Sequence, residues 1–561
     1  MTEVHWTGHP FVDAGLTAVA ATAQVERLEA LTPEHLQRAF EELKRVLLSD
    51  QALGVGVEKA FVRGALSQLF PNSELVNPSN WKGQTPEDKS ASVREKFREA
   101  FAEDLKRAKQ CLESDSGVEV CCVCGEWRPN DSMRTMRKDK LPLLEGIVNF
   151  YPAFAYGARV CGLCALAVRF LPLSILRIGG GNRLWFLHTQ ALEIARAIAR
   201  TYGWEHFNDC IARNEALDFF SDWETAGAEG TVLYLLFALL DRFGSQMRAL
   251  YQNPRPTTAY LFSNDNRGGY VQALPVPHEL MRFLQLLQVR SPNAYRKFWR
   301  ELLQVPRSLQ GKERKVRERF VSSIAQKIMD GSRLIDACLD DNPPRLRGGW
   351  VGHGLYLLEV RRMAKEKLAI LERLGVDIAQ SEDVKQLTNE LRTAAWNELY
   401  GLLLGFVRRG LLRHDEFYTL LPPNDYGAAS EARDVLLAVI YEWQHCQEKG
   451  EEFPRLEFEA TERSPDETLT RIQHIGQRLV EKAPNLSRWV GRLYTARSPD
   501  RIRGAYLNAV QRGAMSFNDF VFMAPLGDAQ RHWLLRDYLL AFLFERARET
   551  LAEQELEEAS T

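Results

Sequence analysis

Two Cys-x-x-Cys pairs, Cys121 with Cys124 in "VEVCCVCGEW" and Cys161 with Cys164 in "ARVCGLCAL", set the tightest restraint on how this chain can fold. One pair brings two thiolates to a single ion, and two pairs meet the tetrahedral demand of structural zinc, whose bonds to sulfur are about 2.3 Å long. If one ion takes all four, segments separated by the 36 residues Gly125 to Val160 must meet in space. That spacer exceeds the usual roughly 15 to 20 residues, which weakens the pattern match and leaves the ligand chemistry intact. A site filled entirely by protein ligands is structural and has no place for a catalytic water. Two unrelated buried pairs or a redox Cys-x-x-Cys are the alternatives. Cys122 falls out of step and reads as a small hydrophobe beside the knuckle or a ligand that loses the competition. Cys111, Cys210, Cys338 and Cys446, scattered singly in helical segments, read as core packing. Nine cysteines, an odd number, disfavour a disulfide framework. With no basic and then apolar leader in "MTEVHWTGHPFVDAG", we expect a cytoplasmic protein.

At 561 residues the chain is longer than the roughly 250 to 300 at which one core stops growing, so several domains are expected. The most apolar run, "VLYLLFALL" at Val232 to Leu240, is far short of the roughly 20 residues needed to cross a bilayer and reads as a buried helix, so no membrane partner is expected. Helical signals dominate. In "TPEHLQRAFEELKRVLLSD", Thr32 caps, Pro33 opens the first turn, and Leu36, Phe40, Leu43 and Leu47 share one face. A second helix runs through "PEDKSASVREKFREAFAEDLKRAKQCLE", with Val93, Phe97, Phe101 and Leu105 at steps of four. The clearest β signal is a hairpin with extended runs Thr257 to Phe262 and Tyr270 to Leu274. "LLEVRRMAKEKLAILERLG" reads as a helix ending on Gly375.

These signals predict a mainly α fold with a smaller α+β part: an N-terminal α/β region with zinc knuckle and β-hairpin, and a C-terminal helical bundle. The expected divisions are a mostly helical region 1–117, a zinc knuckle 118–170, an α+β region 171–345 with the hairpin 257–275 and basic helices, a helical linker region 346–427, and a bundle 428–561.

Seventy-two Lys and Arg stand against seventy-four Asp and Glu, so bulk charge gives no attraction to polyanions, and a nucleic-acid surface requires local segregation. Such segregation occurs. Arg134, Arg137, Lys138 and Lys140 cluster in "MRTMRKDKLP", as a grip on a phosphate backbone or simply a solvated loop. Arg290 to Phe320 holds ten basic residues against three acidic ones, among them Arg296, Lys297, Arg300, Lys312, Arg314 and Lys315, interleaved with Tyr295, Trp299 and Phe320. Arg463 to Arg512 holds ten against four, including Arg488, Arg492, Arg497, Arg501 and Arg503. "RIGGGNRLWF" fails as a dinucleotide fingerprint because Leu184 stands where the third glycine belongs. It reads as a strand-to-helix turn, or as a loop beside a duplex flanked by Arg177 and Arg183. Walker A, HExxH and GxSxG motifs are missing, and "HDE" at His414 to Glu416 lacks the PCxxC of a zinc deaminase. The expectation is a chain without catalytic activity; the competing class is a zinc-containing nuclease or nucleic-acid-modifying enzyme, and a third is an RNA-processing scaffold.

At "WTGHPFVDAG" (Trp6 to Gly15), the paired Cys-x-x-Cys motifs and "YLFSNDNRGGYVQALPVPHELMRFL", the chain resembles the CXXC-CXXC family of large subunits of the type I-B CRISPR Cascade complex, in the same order and over the N-terminal two-thirds. The resemblance implies a non-catalytic protein at the crRNA 5′ end, among backbone and 5′-handle subunits. It would read the protospacer-adjacent motif, help open target double-stranded DNA, steady the R-loop, and recruit a helicase-nuclease or a transposition adaptor. Guide pairing would then supply sequence specificity. From side-chain chemistry, the hairpin turn is a candidate for motif reading, Asn264 and Asn266 pairing with adenine edges and Arg267 with guanine or a minor-groove phosphate, beside Arg177 and Arg183, with turn geometry alone as the alternative. The tail resembles a small-subunit-like bundle, and a separate small subunit translated from within the gene would begin near Met363.

Overall fold

The computed structural model describes the chain apart from residues 1–2, 72, 115–116, 138–139, 143–156, 179–182, 223–224, 253–254, 266–267, 423–424, 426, 457–465, 483–484, 526–527 and 561. It is about 65% helical with 9% strand, mainly α with a smaller α+β part. Two compact units result, Met1–Ser332 and Arg333–Thr561.

In the first unit, α1 (Pro10–Ala23) is buried from Phe11 to Ala20 and forms the axis of the core. Helix α2 (Pro33–Leu47) begins where Thr32 accepts from the His35 N–H while the His35 ring takes the Thr32 N–H. Short helices α3 (Asp50–Leu53) and α4 (Ala65–Leu69) lead to α5 (Pro86–Glu113), capped reciprocally by Thr85 and Asp88, with Val93, Phe97, Phe101 and Leu105 on its buried face. Both helices therefore start at a hydroxyl cap followed by proline, as the sequence predicts.

Two small antiparallel ladders follow: β1 (Glu119–Val120) with β2 (Trp127–Arg128), and β3 (Met133–Met136) with β4 (Ala158–Cys161). Strand β4 runs straight into α6 (Gly162–Phe170), every residue of which is buried. Helix α6 packs on α1 and α5 at backbone distance. A Cβ at Gly15 would lie 2.0 Å from the Ala167 carbonyl oxygen, and one at Gly162 would lie 2.4 Å from the Arg107 carbonyl carbon. Only glycine permits these crossings. Cys121, Met133, Met136 and the segment Ala158–Phe170 are thus built into the core of the N-terminal unit.

The hairpin belongs to a larger sheet. Strands β5 (Leu176–Ile178) and β6 (Leu184–Thr189) precede α7 (Leu192–Ile198), a wide-turn segment 199–205 and α8 (His206–Ala212). After β7 (Phe220–Asp222) and α9 (Gly227–Gln252, interrupted at Gly244) come β8 (Thr257–Asp265) and β9 (Gly268–Pro275). The order is β7-β5-β6-β8-β9, antiparallel except for β5 with β7. "RIGGGNRLWF" therefore joins strand to strand, which corrects the expected strand-to-helix turn; its glycines lie outside the described residues. Phe11 seats α1 on the sheet, its ring 5.0 Å from Phe186 and 4.9 Å from Phe262. Helices α10 (His278–Arg290), α11 (Pro292–Phe298) and α12 (Gly311–Met329) complete the unit.

The second unit opens with a short ladder, β10 (Leu339–Asp341) with β11 (Pro344–Leu346). Helices α13 (Trp350–Glu359), α14 (Lys365–Gln380), α15 (Val384–Thr393), α16 (Trp396–Arg409), α17 (His414–Leu420) and α18 (Ala428–Lys449) surround buried Trp350, Tyr356 and Tyr441. Gly375 lies inside α14, not at its end: a Cβ there would sit 2.7 Å from Val439, so the glycine serves the α14–α18 crossing. Helices α19 (Glu467–Lys482), α20 (Leu486–Tyr494), α21 (Pro499–Gln511), α22 (Phe517–Met523) and α23 (Ala529–Ser560) form the remainder, with α23 packed against α16, α17 and α19.

Candidate metal centre and cationic surfaces

Cys161 is at once the last residue of β4 and the N-cap of α6, so Cys161 and Cys164 fall within one turn. Cys121 and Cys124 sit in the tight turn after β1, which Gly125 closes at φ 72° by donating its N–H to the Cys121 carbonyl at 2.9 Å. The β3–β4 ladder brings the pairs together: the Cys122 N–H donates to the Arg159 carbonyl at 3.0 Å, and the Cys161 N–H donates to the Cys121 Sγ at 3.2 Å. All four Sγ atoms lie within 4.8 Å of one another, and Cys124 to Cys161 is 3.9 Å. Zinc bonds of about 2.3 Å in a tetrahedron set the sulfurs about 3.8 Å apart. The quartet is therefore close enough to hold a metal ion, and its donors and spacing are compatible with zinc. Hydrogen bonds from Cys124, Cys161 and Cys164 draw the Cys121 thiol far below its ordinary range. Cys161 and Cys164 are pushed well above it, Cys161 chiefly by its contact with Cys111 and Cys164 by Cys121. Cys122 lies outside the quartet; partial burial of its sulfur and charge on Cys121 push it up to about 11.

Cys111, read from sequence as core packing, is buried against Cys161, whose hydrogen bond, with help from Ser132, draws the Cys111 thiol down to about 6. Arg128 donates to the Cys111 carbonyl at 2.9 Å. The signal for Cys111 was its place on the buried face of α5 with Ala108 and Leu112, one loop before the first ligand.

Two of the four cations expected to reach from the zinc loop, Arg134 and Lys140, are turned inward. Arg134 pairs with Glu74 at 3.3 Å and also with Asp104; Lys140 pairs with Glu74 at 3.3 Å; Arg169 pairs with Glu74 at 3.2 Å and with Asp104 at 3.1 Å. Asp104 is fully buried. Burial works to raise the Glu74 carboxyl, yet Arg169 and Lys140 outweigh it and hold it well below the carboxylate range. Arg134 and Lys140 are thus structural charges and not a phosphate grip, because they neutralise buried Asp104 and half-buried Glu74. Arg137 is exposed, and Lys138 lies outside the described residues.

A similar correction applies around the hairpin. Asn264 is 2% exposed and its Nδ2 donates to the Leu69 carbonyl at 2.9 Å, so it anchors β8 to α4 and presents nothing to a base edge. Asn266 and Arg267 lie outside the described residues. Arg177 is held by Asp218 at 2.7 Å, whereas Arg183 is exposed, its guanidinium 5.6 Å from the Tyr270 ring centre.

On α11, α12 and the turn between them, Arg296, Arg300, Lys312 and Lys315 are exposed; Lys297 and Arg314 are half-buried, Arg314 on Glu318 at 2.8 Å. The interleaved aromatics face inward. Tyr295 is buried with its hydroxyl on the Phe237 carbonyl at 2.7 Å, Trp299 packs on Phe237, and Phe320 packs partly buried against the core beneath Arg317. They are core residues, not stacking platforms. In the second unit, Arg488, Arg492, Arg497 and Arg501 are exposed on and between α20 and α21, and Arg503 is half-buried. Exposed Tyr494, Leu507, Phe517 and Val521 lie on the same run of helices.

"HDE" is locked. The His414 backbone N–H and ring Nδ1 both contact Glu545 Oε2 at 2.7 Å, Gln473 donates to Nε2 at 2.8 Å, and Glu416 binds Arg373 at 2.8 Å. With both ring nitrogens engaged, this histidine ties α17 to α23 and α19. Asp13, also missed from sequence, is buried and accepts from Thr7, Gly8 and His188, fixing the Trp6–His9 segment at the start of α1. Comparison of the chain with family models, curated proteins and solved structures finds no match. Among the described residues no helix is long and apolar enough to cross a membrane.

Proposed function

We propose that this chain is a non-catalytic, nucleic-acid-binding subunit: the large subunit of a type I-B CRISPR Cascade complex in the cytoplasm, working with crRNA, backbone and 5′-handle subunits and a small subunit on target DNA. The observation that carries the reading is the exposed arginine surface of α20 and α21, with Arg488, Arg492, Arg497 and Arg501 open to solvent in a molecule whose formal net charge is only −2. Charge segregated this way favours phosphate backbone over neutral partners. In the first unit, exposed Arg183 is assigned to motif reading, and exposed Arg137, Arg296, Arg300, Lys312 and Lys315 to nucleic-acid backbone. The ion at the cysteine quartet is zinc. Bound there it supplies cross-linking of the turn after β1 to the start of α6, and the four thiolates orient that loop.

Salt dependence tests this directly. Each phosphate contact contributes about 0.9 to the slope of log affinity against log salt on duplex DNA. Alanine at Arg488, Arg492, Arg497 and Arg501 together should flatten the slope of target binding by the assembled complex by about 3 to 4. An unaltered slope rejects the surface as a nucleic-acid contact.

A further inference from the structure

A divalent ion held by four thiolates leaves two negative charges uncompensated, and three of these four cysteines are buried. Arg128 stands beside the quartet and can offset them. Arg128 ends β2 and is only 3% exposed. Its Nη1 donates to the Cys111 carbonyl, while its buried Nε has no hydrogen-bond partner. Among the described residues no carboxylate lies within ion-pair distance of it. A guanidinium buried in this way is costly unless negative charge stands close by. Its side chain, with Cys124 and Cys164, lines a small cavity of about 40 Å³ roofed by Trp6 and Thr7 of the N-terminal segment.

We propose that Arg128 is the charge-balancing partner of the tetrathiolate metal centre, lowering the net charge of the loaded site from −2 to −1. The inference rests on the reading of the cysteine quartet as a metal site. It assigns Arg128 a positioning and electrostatic role with no ligand bond to the ion. Glu126 supplies an internal control: it lines the same cavity, carries the opposite charge and is exposed. The same electrostatics give its removal the opposite sign.

The test is zinc affinity of the full chain, by competition with a chromophoric chelator, with total zinc measured by elemental analysis. Groups surrounding a metal site typically change affinity by about 10 to 100-fold when mutated. Arg128→Gln should weaken zinc binding by about that factor and speed its loss to the chelator, Arg128→Lys should restore most of it, and Glu126→Gln should tighten binding by a smaller factor. Equal losses in Arg128→Gln and Arg128→Lys would reduce the residue to packing and overturn the proposal, as would wild-type affinity in both. If Arg128→Gln fails to fold, Glu126→Gln decides: affinity at or below wild type overturns the charge argument. A wild-type chain that binds no zinc overturns the metal reading beneath it, and that result is distinct from the others.

Discussion

Glu74→Gln removes one of the two carboxylates that neutralise Arg134, Lys140 and Arg169 inside the first unit, at nearly unchanged shape. Breaking a fully buried ion pair from one side costs about 3 to 5 kcal/mol. Glu74 keeps 22% of its side-chain exposure, so solvent screening reduces the expected loss to about 3 kcal/mol. The 332 residues of this unit, at about 2.1 cal/mol/K each, unfold with an entropy of ~0.7 kcal/mol/K, so the midpoint should fall by about 4 °C. The effect has a defined pH signature. The folded carboxyl is held well below its unfolded value of about 4.5, so its stabilisation is fully present above that value and is lost as pH falls through the folded range. Wild type and variant should therefore differ at pH 7 and converge as the medium becomes strongly acidic. Thermal melts of the full chain at pH 7, 5 and 3, followed by calorimetry, measure both. A shift below about 1 °C at pH 7, or one that is the same at pH 3, would refute the assignment of Arg134 and Lys140 to this cluster.

Gly15→Ala places a methyl group on the Ala167 backbone carbonyl and should cost at least about 1 to 3 kcal/mol by denaturant unfolding, with weaker metal retention because α6 carries Cys164. Asn264→Ala should cost about 1 to 3 kcal/mol for the unsatisfied Leu69 carbonyl, while motif preference in a target-binding assay stays that of wild type; a changed preference would return Asn264 to the DNA. Cys161→Ser should lower the metal content measured by elemental analysis, whereas Cys122→Ser should leave it unchanged.

Local chemistry made much of this fold legible. Thr32–Pro33 and Thr85–Pro86 mark helix starts through hydroxyl caps, and the four-residue spacing from Val93 to Leu105 marks a buried face; all of these are seen in α2 and α5. The cysteine quartet was legible because ligand count and softness are properties of residue type. What sequence could not supply was the partner of each charge. Glu74 lies in an Asn- and Pro-rich loop sixty residues before Arg134, and only the tertiary fold joins them. Counting cations therefore overestimated the zinc loop as a nucleic-acid surface. Asn264 was readable in principle, since the period of two places it on the same side of β8 as buried Phe262. Tyr295 and Trp299, four apart, likewise share the helical face that packs on Phe237. Strands β5 and β7 are three residues each, too short for any alternation to be recognised.

The most direct measurement is affinity purification of the tagged full chain from cells expressing its neighbouring genes, with sequencing of bound RNA and binding of defined duplexes. The account predicts a guide RNA carrying a constant 5′ handle, and duplex binding that requires both a match to that guide and a short adjacent motif. Recovery without guide RNA, duplex binding indifferent to the guide, or metal-dependent cleavage of DNA by the chain alone would contradict it.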